Sequence, residues 1–424
     1  DQSGNIYVTA TSALPTPNED GVILITATPV DGVSAAGLPT AELPATIAPT
    51  ETPSPTPVAD PQAELARADQ LLRYGYYEEA INAYDAILAQ RAAFSDEVTA
   101  LAALRLGQSA VREGLFAQAI PALTLLIDEL PNDSHVAQAY FLRGDAYLGV
   151  SQWQNAIADF QQYLALRPGL IDSYVYERIA DAQLALGQTE TALATYQQAL
   201  DANRSLVPQL ILREKLAQIS ISANQVDEAV AQYDAILLQA RNAPYRASID
   251  LAAAQALVNA GRMEEGLARA QRVFETYTQT TAAYPAMQLL LENDVEIDGY
   301  QRGVVNYNYG DYVAAIEAFN EYTSQFQLDA IPANLYLLLG RAYRQIGNSQ
   351  AALIAFQTLL DQYPNDPLIG TALLDQGRTY FLADEIPQAI NTYLSIARDY
   401  STLPDVASEA LWRAGYLYGT RQGD

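Results

Sequence analysis

The chain lacks cysteine and has almost no histidine or lysine. None of its 424 residues is a cysteine, His135 is the only histidine, and Lys215 is the only lysine. The absence of cysteine excludes a disulfide framework and thiolate metal sites. One histidine and no cysteine exclude Cys–His catalysis and a histidine-rich zinc site. A Ser–His–Asp triad would have to use His135, which lies at a predicted helix start. We therefore expect no catalytic residues, no cofactor site and no metal site.

Positive charge is also scarce. The chain has 23 Lys and Arg against 50 Asp and Glu, a net charge of −27. Nucleic-acid binding needs clustered basic residues that displace counterions, and an anionic membrane surface would repel this chain. No run of eighteen apolar residues is present, so we expect no transmembrane segment. The partner classes that remain are proteins and, as a further option, cell-wall components.

The first residue is Asp1 rather than Met. We interpret this as a mature protein whose signal peptide has been removed. The expected location is therefore the cell surface, the extracellular space or the periplasm.

What the sequence has in abundance is an internal repeat. A small residue is followed four positions later by an aromatic residue or Leu in eight pairs, and a ninth, degenerate pair has Ala at the second position. These anchor pairs are Ala80/Tyr84, Ala119/Leu123, Ala156/Phe160, Ala192/Tyr196, Ala229/Tyr233, Gly266/Ala270, Ala315/Phe319, Ala352/Phe356 and Ala389/Tyr393. Successive pairs are 39, 37, 36, 37, 37, 49, 37 and 37 residues apart. One period maintained over nine copies predicts a repeat architecture.

Twelve positions before each anchor lies a second small residue, which we call the crossing residue. The crossing residues are Ala68, Gly107, Gly144, Ala180, Ala217, Ala254, Gly303, Gly340 and Gly377, and Gly415 begins a tenth copy. Apolar residues around both small positions recur at three and four residues, which predicts two amphipathic helices per copy. A small residue lets two helices approach closely where they cross. The predicted fold is all-α, with helix pairs that bury their apolar faces only by stacking.

The spacing of the repeats resembles the tetratricopeptide repeat. Gly144, Tyr147, Ala156, Phe160 and Pro168 match its G-x-x-Y…A-x-x-x-F…P pattern. The resemblance covers about residues 62–424, with a period of 37 rather than the usual 34. It implies a right-handed α-superhelix of about nine and a half helix pairs with a concave binding face, and it implies no chemistry.

A second resemblance is to the superhelical domain that precedes the catalytic domain of soluble lytic transglycosylases. The segments 411–416 and 300–305 carry it. That family cleaves peptidoglycan with a Glu in an E-S motif followed by a G-L-M-Q segment, and neither motif is present here. The resemblance implies either the non-catalytic part of such a protein or a relative that lost the enzyme.

The first 61 residues differ in composition from the repeats. They contain seven acids and no Lys or Arg. Residues 1–35 form a predicted N-terminal arm with two β-like runs, whose alternate apolar residues Ile6, Val8, Ile23 and Ile25 are candidate assembly contacts. Residues 36–61 are a Pro/Thr-rich linker, in which the stretch 39–61 is expected to be extended over roughly 70 Å. A plain β-rich spacer is the alternative interpretation of the arm.

The 49-residue interval divides the repeats into two predicted blocks. The first block is 62–282, the insertion is 283–299, and the second block is 300–424, which ends mid-repeat. Part of the insertion has helical character, and we expect either a bend at this point or a longer loop.

The resemblance to tetratricopeptide repeats implies that the residue after each crossing residue faces the groove. We call these residues the groove positions; the candidate binding residues are Asp69, Gln108, Asp145, Asp181, Gln218, Gln255, Arg341 and Arg378. Their order runs from acidic through amide to basic. A groove with ends of opposite sign would favour head-to-tail contact between copies, and unselected surface variation is the alternative.

Two functions are open from the sequence. The first is a non-catalytic scaffold that binds proteins and assembles head to tail into a cell-surface filament through its arm. In that hypothesis the helix with Leu411, Trp412 and Tyr416 offers an exposed apolar surface. The second is the substrate-positioning domain of a peptidoglycan lytic transglycosylase whose catalytic domain lies beyond residue 424.

Overall fold

The structure is a computed structural model that describes residues 60–422, apart from the side chains of residues 61, 329 and 422. Within that range it has twenty α-helices and no β-strand, which confirms the predicted all-α fold. In chain order the helices are α1 Pro61–Arg73, α2 Tyr77–Ala89, α3 Asp96–Arg112, α4 Phe116–Glu129, α5 Val136–Gly149, α6 Trp153–Leu166, α7 Asp172–Ala185, α8 Thr189–Asp201, α9 Leu206–Ser222, α10 Val226–Gln239, α11 Ala243–Asn259, α12 Met263–Thr276, α13 Ala283–Glu292, α14 Gly299–Tyr309, α15 Tyr312–Gln325, α16 Ala333–Gln345, α17 Ser349–Gln362, α18 Ile369–Leu382, α19 Ile386–Asp399 and α20 Pro404–Leu417.

The predicted arm, with Ile6, Val8, Ile23 and Ile25, lies outside the described residues, as does the linker up to residue 59. The described part begins at Asp60, whose side chain accepts a hydrogen bond of 3.1 Å from the backbone N–H of Gln62 and so caps α1. No helix of the described part is long and apolar enough to cross a membrane.

The helices pair in chain order. In each repeat the helix with the crossing residue is the first helix, and the helix that follows it is the second helix. Each second helix packs on its own first helix and on the helix that comes next. The buried apolar clusters therefore continue from pair to pair; one extends from Leu65 on α1 to Ala146 on α5, and another from Ala315 on α15 to Leu417 on α20. The stack thus buries apolar faces that a single pair would leave exposed.

The glycines at the crossing in the second, third, seventh, eighth and ninth repeats lie against a large buried side chain on the second helix. A Cβ atom built on Gly144 would lie 2.7 Å from Cε1 of Phe160, and one on Gly340 would lie 2.5 Å from Cε1 of Phe356. Both rings are fully buried. No real Cβ atom approaches that closely, so the missing side chain provides the space that the ring fills. The steric role predicted for the small residues is confirmed.

The two helices of a pair are joined by a turn with one residue in the left-handed region. It is the seventh residue after the crossing residue. In six repeats it is a glycine, such as Gly75 with φ 82° and Gly310 with φ 99°. In the other three it is a short polar residue with φ near 60°, namely Ser151, Asn224 and Asp384. Glycine adopts this conformation without steric strain, and Asn and Asp tolerate it better than other residues do.

The insertion between the two blocks contains a helix of its own, α13. It packs on α12 and touches α14. Met287 is fully buried in it, and Asp294, seven residues further on, has φ 55°. This helix therefore ends in the same turn as a first helix, although it carries a large residue where first helices carry Gly or Ala. The rings of Tyr284 and Tyr309 stack at 3.7 Å and link α13 to the end of α14.

Substituting equivalent glycines of two repeats tests the packing at the crossing. We expect Gly340→Ala to lower the free energy of unfolding by about 1–3 kcal/mol, because the new Cβ overpacks against Phe356. Gly415→Ala is the matched control, since a Cβ at Gly415 meets nothing within 4 Å. Alanine is favoured over glycine inside a helix by about 1 kcal/mol, so the control should be neutral or stabilising. Equal effects in urea denaturation would contradict this description of the crossing.

Candidate functional site

The groove positions lie at or near the protein surface. Gln218, Gln255 and Arg378 are exposed, and Asp69, Gln108, Asp145, Asp181 and Arg341 are half-buried. Each side chain follows a fully buried or nearly buried crossing residue, so the first helix presents it beside its packed face. What the groove positions contact decides whether they are free to bind a partner.

Charged groove positions are linked to the next repeat by ion pairs. Asp145 on α5 accepts a hydrogen bond of 2.5 Å from Nε of Arg178 on α7. In the second block the charges are exchanged, because Nε of Arg341 on α16 donates to Asp375 on α18 at 2.6 Å. In both pairs the partner lies two residues before the next crossing residue. The ion pairs therefore form a ladder along neighbouring first helices.

Two of these pairs include a tyrosine from the second helix. The Tyr84 hydroxyl donates to Oδ1 of Asp69 at 2.7 Å, and Arg105 of the next repeat forms an ion pair with the same carboxylate. Three repeats further on, Tyr196 and Lys215 contact Asp181 in the same way, with Nζ of Lys215 at 2.5 Å. We call each set a triad, made of a ring hydroxyl, a groove carboxylate and a cation from the next repeat.

The triads and the ladder modify the predicted change of sign along the groove. The acids of the first repeats, Asp69, Asp145 and Asp181, are each neutralised by a cation of the following repeat. Arg341 is neutralised in turn by Asp375. The contrast in charge between the two ends of the groove stays a prediction, and at these four positions the charge is paired with a residue that stacking brings beside it.

Burial shifts the protonation of several groups in the ladder. Burial raises the pKa of Tyr84 to about 12, against the opposing effect of Arg73. Burial, followed by the hydrogen bond to Asp181, raises the pKa of Tyr196. Burial also raises the pKa of Asp145, and Arg178 opposes that rise. These tyrosines are therefore neutral hydrogen-bond donors at neutral pH.

The ninth repeat departs from the ladder. Its groove position is Arg378, and the residue two positions before the next crossing residue is Arg413. Two cations therefore stand where the first, third, fourth and eighth repeats have a cation and an acid. Arg413 donates to Glu409 at 2.8 Å, and its guanidinium lies 5.8 Å from the ring centroid of Tyr393. Burial raises the pKa of Tyr393, while Arg413 and Arg378 lower it. Among the described residues, Arg378 has no hydrogen-bond or ion-pair partner.

These residues line a cavity of about 230 Å³ between α18, α19 and α20. Its walls are Arg378, Phe381, Tyr393, Glu409, Trp412, Arg413, Tyr416 and Leu417. The rings of Trp412 and Tyr416 stack with centroids 5.8 Å apart. The cavity thus combines aromatic surface with two cations, a composition found at no other groove position described above.

The predicted apolar residues of the last helix are exposed in the structure. Leu411 is 58%, Trp412 64% and Tyr416 55% exposed. In four other first helices the residue equivalent to Trp412 is a buried leucine, namely Leu65, Leu104, Leu251 and Leu337. Gly415 is exposed as well, whereas the nine other crossing residues are buried. The face of α20 that neighbouring helices cover in other repeats is therefore open in the described part of the chain.

Other buried charges fasten the helices to one another. Arg143 donates to both oxygens of Asp159, at 2.7 and 2.8 Å. Asp250 accepts hydrogen bonds from Arg269 at 3.2 Å and from Arg272 at 2.6 Å. These partners lie on the two helices of one repeat, so we assign them to the stability of the pair.

Residues 60–422 contain no cluster of three or more His, Asp or Glu side chains that could hold a metal ion. The backbone N–H of His135 donates to Asp133 at 2.8 Å, and its Nδ1 lies 2.7 Å from the same carboxylate oxygen. His135 immediately precedes α5, as expected for a residue at a helix start.

The repeats match a known family. The profile described as tetratricopeptide repeat matches residues 65–134, 104–171, 178–247, 300–367 and 337–404. The chain belongs to the tetratricopeptide-repeat family. The matched segments leave out residues 248–299, which contain most of α11 together with α12 and α13, and the residues after 404, which contain nearly all of α20.

Solved tetratricopeptide-repeat structures resemble the chain only at low identity. The crystal structure of MamA is 22% identical, covers 40% of this chain and 92% of its own, and gives a TM-score of 0.34. MamA from residue 41 to its end, from Desulfovibrio magneticus RS-1, is 18% identical, with coverages of 42% and 92% and a TM-score of 0.35. The thermophilic protein TTC0263 of Thermus thermophilus is 21% identical, with coverages of 47% and 100% and a TM-score of 0.30. No curated protein matches the chain.

The first triad predicts a loss of stability in alkali. In the folded protein the pKa of the Tyr84 hydroxyl is about 12, above the ordinary value of 10.0. The stability that this proton contributes is complete below pH 10 and is lost as the pH rises through 12, since the unfolded chain releases the proton first. Tyr84→Phe removes this titration, although it also removes the hydrogen bond to Asp69, which contributes about 1 kcal/mol.

Urea denaturation at pH 8 and at pH 10.5 measures this effect. We expect the variant to be less stable than the parent at pH 8 and to lose less stability between the two pH values. Tyr74→Phe, at a tyrosine that is 69% exposed, is the control and should behave like the parent. If the parent and Tyr84→Phe lost the same free energy of unfolding between pH 8 and pH 10.5, Tyr84 would not be the group responsible.

Proposed function

We propose that this chain is a non-catalytic scaffold outside the cytoplasm that binds protein partners and joins copies of itself head to tail. Stacked repeats present an extended surface to which protein segments bind, and this use is general among such arrays. The observation that supports the self-association is the open face of α20. It displays Leu411, Trp412 and Tyr416 on a protein with a net charge of −27.

An exposed cluster of large apolar residues indicates an interaction site. Aromatic residues, tryptophan and tyrosine above all, contribute most of the binding energy at protein interfaces. In the other repeats this face of the first helix is covered by the helices stacked next to it. A partner that covers α20 therefore takes the place of a neighbouring repeat, and a second copy of the chain offers apolar residues for that role in its arm.

Head-to-tail contact between two different surfaces produces open chains unless the rotation between copies closes a ring. A filament at the cell surface is the assembly that we propose for such contacts. The location outside the cytoplasm is part of the proposal, and fractionation of cells tests it. Cell-wall components remain a second class of proposed partner.

The alternative function is the substrate-positioning domain of a lytic transglycosylase. The family match is to tetratricopeptide repeats and gives no support to that resemblance. The scaffold is therefore the function that we prefer.

Deleting residues 1–35 tests whether the arm drives assembly. We expect the average mass of the full chain, measured by light scattering, to rise with concentration. The deletion variant should remain monomeric because it lacks Ile6, Val8, Ile23 and Ile25. Circular dichroism of both proteins checks that the helices are retained. A full chain that stays monomeric at high concentration, or a deletion variant that assembles equally well, would rule out assembly through the arm.

A further inference from the structure

We infer that the ninth repeat carries a carboxylate-binding site, formed by Tyr393, Arg378 and Arg413, that accepts an acidic side chain from segment 17–28 of a second copy. This inference rests on the proposed self-assembly and names the surface that receives the arm. It follows from comparing the repeats of this chain with one another.

The triads of the first and fourth repeats show how such a site is built. In each, the hydroxyl of the ring at the second-helix anchor and a cation two residues before the next crossing residue contact one carboxylate. The carboxylate belongs to the groove position, Asp69 in one case and Asp181 in the other. Ring hydroxyl and cation therefore converge on a single point above the crossing residue.

The ninth repeat has the same ring and the same cation without the carboxylate. Tyr393 is the anchor ring, with its side chain beside Arg413, which stands two residues before Gly415. The groove position holds Arg378 in place of aspartate. A carboxylate from outside the repeat would thus meet a hydroxyl donor and two guanidinium groups, and arginine binds carboxylates through well-directed paired hydrogen bonds.

Part of the charge of this site is already compensated. Arg413 donates to Glu409 at 2.8 Å, and both side chains line the cavity. Arg378 is exposed and has no partner among the described residues. Arg378 is therefore the cation with its full hydrogen-bonding capacity available to a ligand.

The N-terminal segment supplies acids that suit the site. Residues 1–60 contain seven Asp and Glu and no Lys or Arg, so no charge in them would be repelled by the two arginines. Within them, Glu19 and Asp20 directly precede the apolar run that includes Ile23 and Ile25. Asp20 would pair with the two arginines of the site. Ile23 and Ile25, which follow it by three and five residues, would then lie against the exposed rings of Trp412 and Tyr416. The run at Ile6 and Val8 has no acid immediately before it, which singles out the second run.

A second copy is the occupant that this placement favours. Each helix packs on its neighbours in the chain, so within residues 60–422 α1 and α20 are the first and last helices of the series. The linker joins the arm to α1, which follows Asp60, whereas the carboxylate-binding site lies at α18–α20. An arm that reaches the site of a neighbouring copy joins the start of one array to the end of the next.

Charge reversal in the full chain tests the inference. Arg378→Glu should weaken self-association about fivefold, since it replaces an attraction near the surface by a repulsion. Arg398→Glu is the matched control: it changes the net charge equally but lies on α19, where Arg398 pairs only with Asp399. Sedimentation equilibrium gives the dissociation constant of each protein, and circular dichroism confirms that both variants are folded.

A compensating pair makes the test specific to the arm. Asp20→Arg alone should weaken association, and the double variant Asp20→Arg/Arg378→Glu should recover most of the loss. Trp412→Ala should weaken association about tenfold, because central aromatic residues dominate interfaces, while Ile354→Ala, at a residue 61% exposed on α17, should not.

The outcomes separate this inference from the proposal on which it rests. Association that depends on residues 1–35 but responds equally to Arg378→Glu and Arg398→Glu would overturn the site and leave assembly through the arm in place. A double variant Asp20→Arg/Arg378→Glu that associates no better than the single variants would also overturn the site. If the arm occupied the site of its own chain, Arg378→Glu would leave the mass unchanged, and the second copy would be the wrong occupant. A full chain that is monomeric throughout would overturn both.

Discussion

The structure depends on one steric fit, in which a large side chain of the second helix, a ring in most repeats, packs over a small residue of the first helix. At Gly144, Gly303 and Gly340 a phenylalanine ring occupies the volume that any Cβ would need. This contact fixes the distance between the helices of a pair and thereby the position of every residue near the crossing. The stacking of pairs, the continuous core and the placement of the groove positions all follow from it.

The same fit couples the core to the binding surface. A phenylalanine at the anchor ends inside the core, whereas the tyrosines Tyr84 and Tyr196 extend their hydroxyls to the groove position. Tyr84 and Tyr196 hold an aspartate there, and Tyr393 lies beside two arginines instead. A tyrosine in the second helix therefore adds a hydrogen bond to a groove carboxylate, whereas Asp145, in the repeat with Phe160, is held by Arg178. In the ninth repeat the same geometry leaves a carboxylate to be supplied by a partner.

Much of the fold could be predicted from the sequence because it repeats a local pattern. The small residues and their rings recur at fixed positions, so the helix pairs and their contacts were readable without a structure. The ten-residue helix α13 was predicted only as helical character within the insertion, since it carries Met287 where the pattern requires a small residue. The turn between the two helices also has a sequence signal, because glycine, Asn, Asp or Ser recurs seven positions after the crossing residue.

The candidate site was only partly predictable. The groove positions could be listed from the repeat, but their partners come from the next repeat, about 33 to 36 residues away, as for Asp145 with Arg178 and Asp69 with Arg105. These ion pairs depend on how one helix pair stacks on the next, and the sequence pattern within a single repeat does not contain that information. The order of charges therefore suggested a long-range gradient, whereas stacking neutralises most of it locally and leaves Arg378 without a partner among the described residues.

The absence of cysteine makes one measurement especially direct. A chain with Gly21→Cys and a second chain with Tyr416→Cys are mixed and oxidised gently, and disulfide-linked dimers are identified by mass. If the arm of one copy lies on α20 of the next, this mixture gives a linked dimer, while Gly21→Cys mixed with Ile354→Cys gives far less. Equal yields from the two mixtures would contradict the account, as would a disulfide that forms only within single chains carrying both Gly21→Cys and Tyr416→Cys.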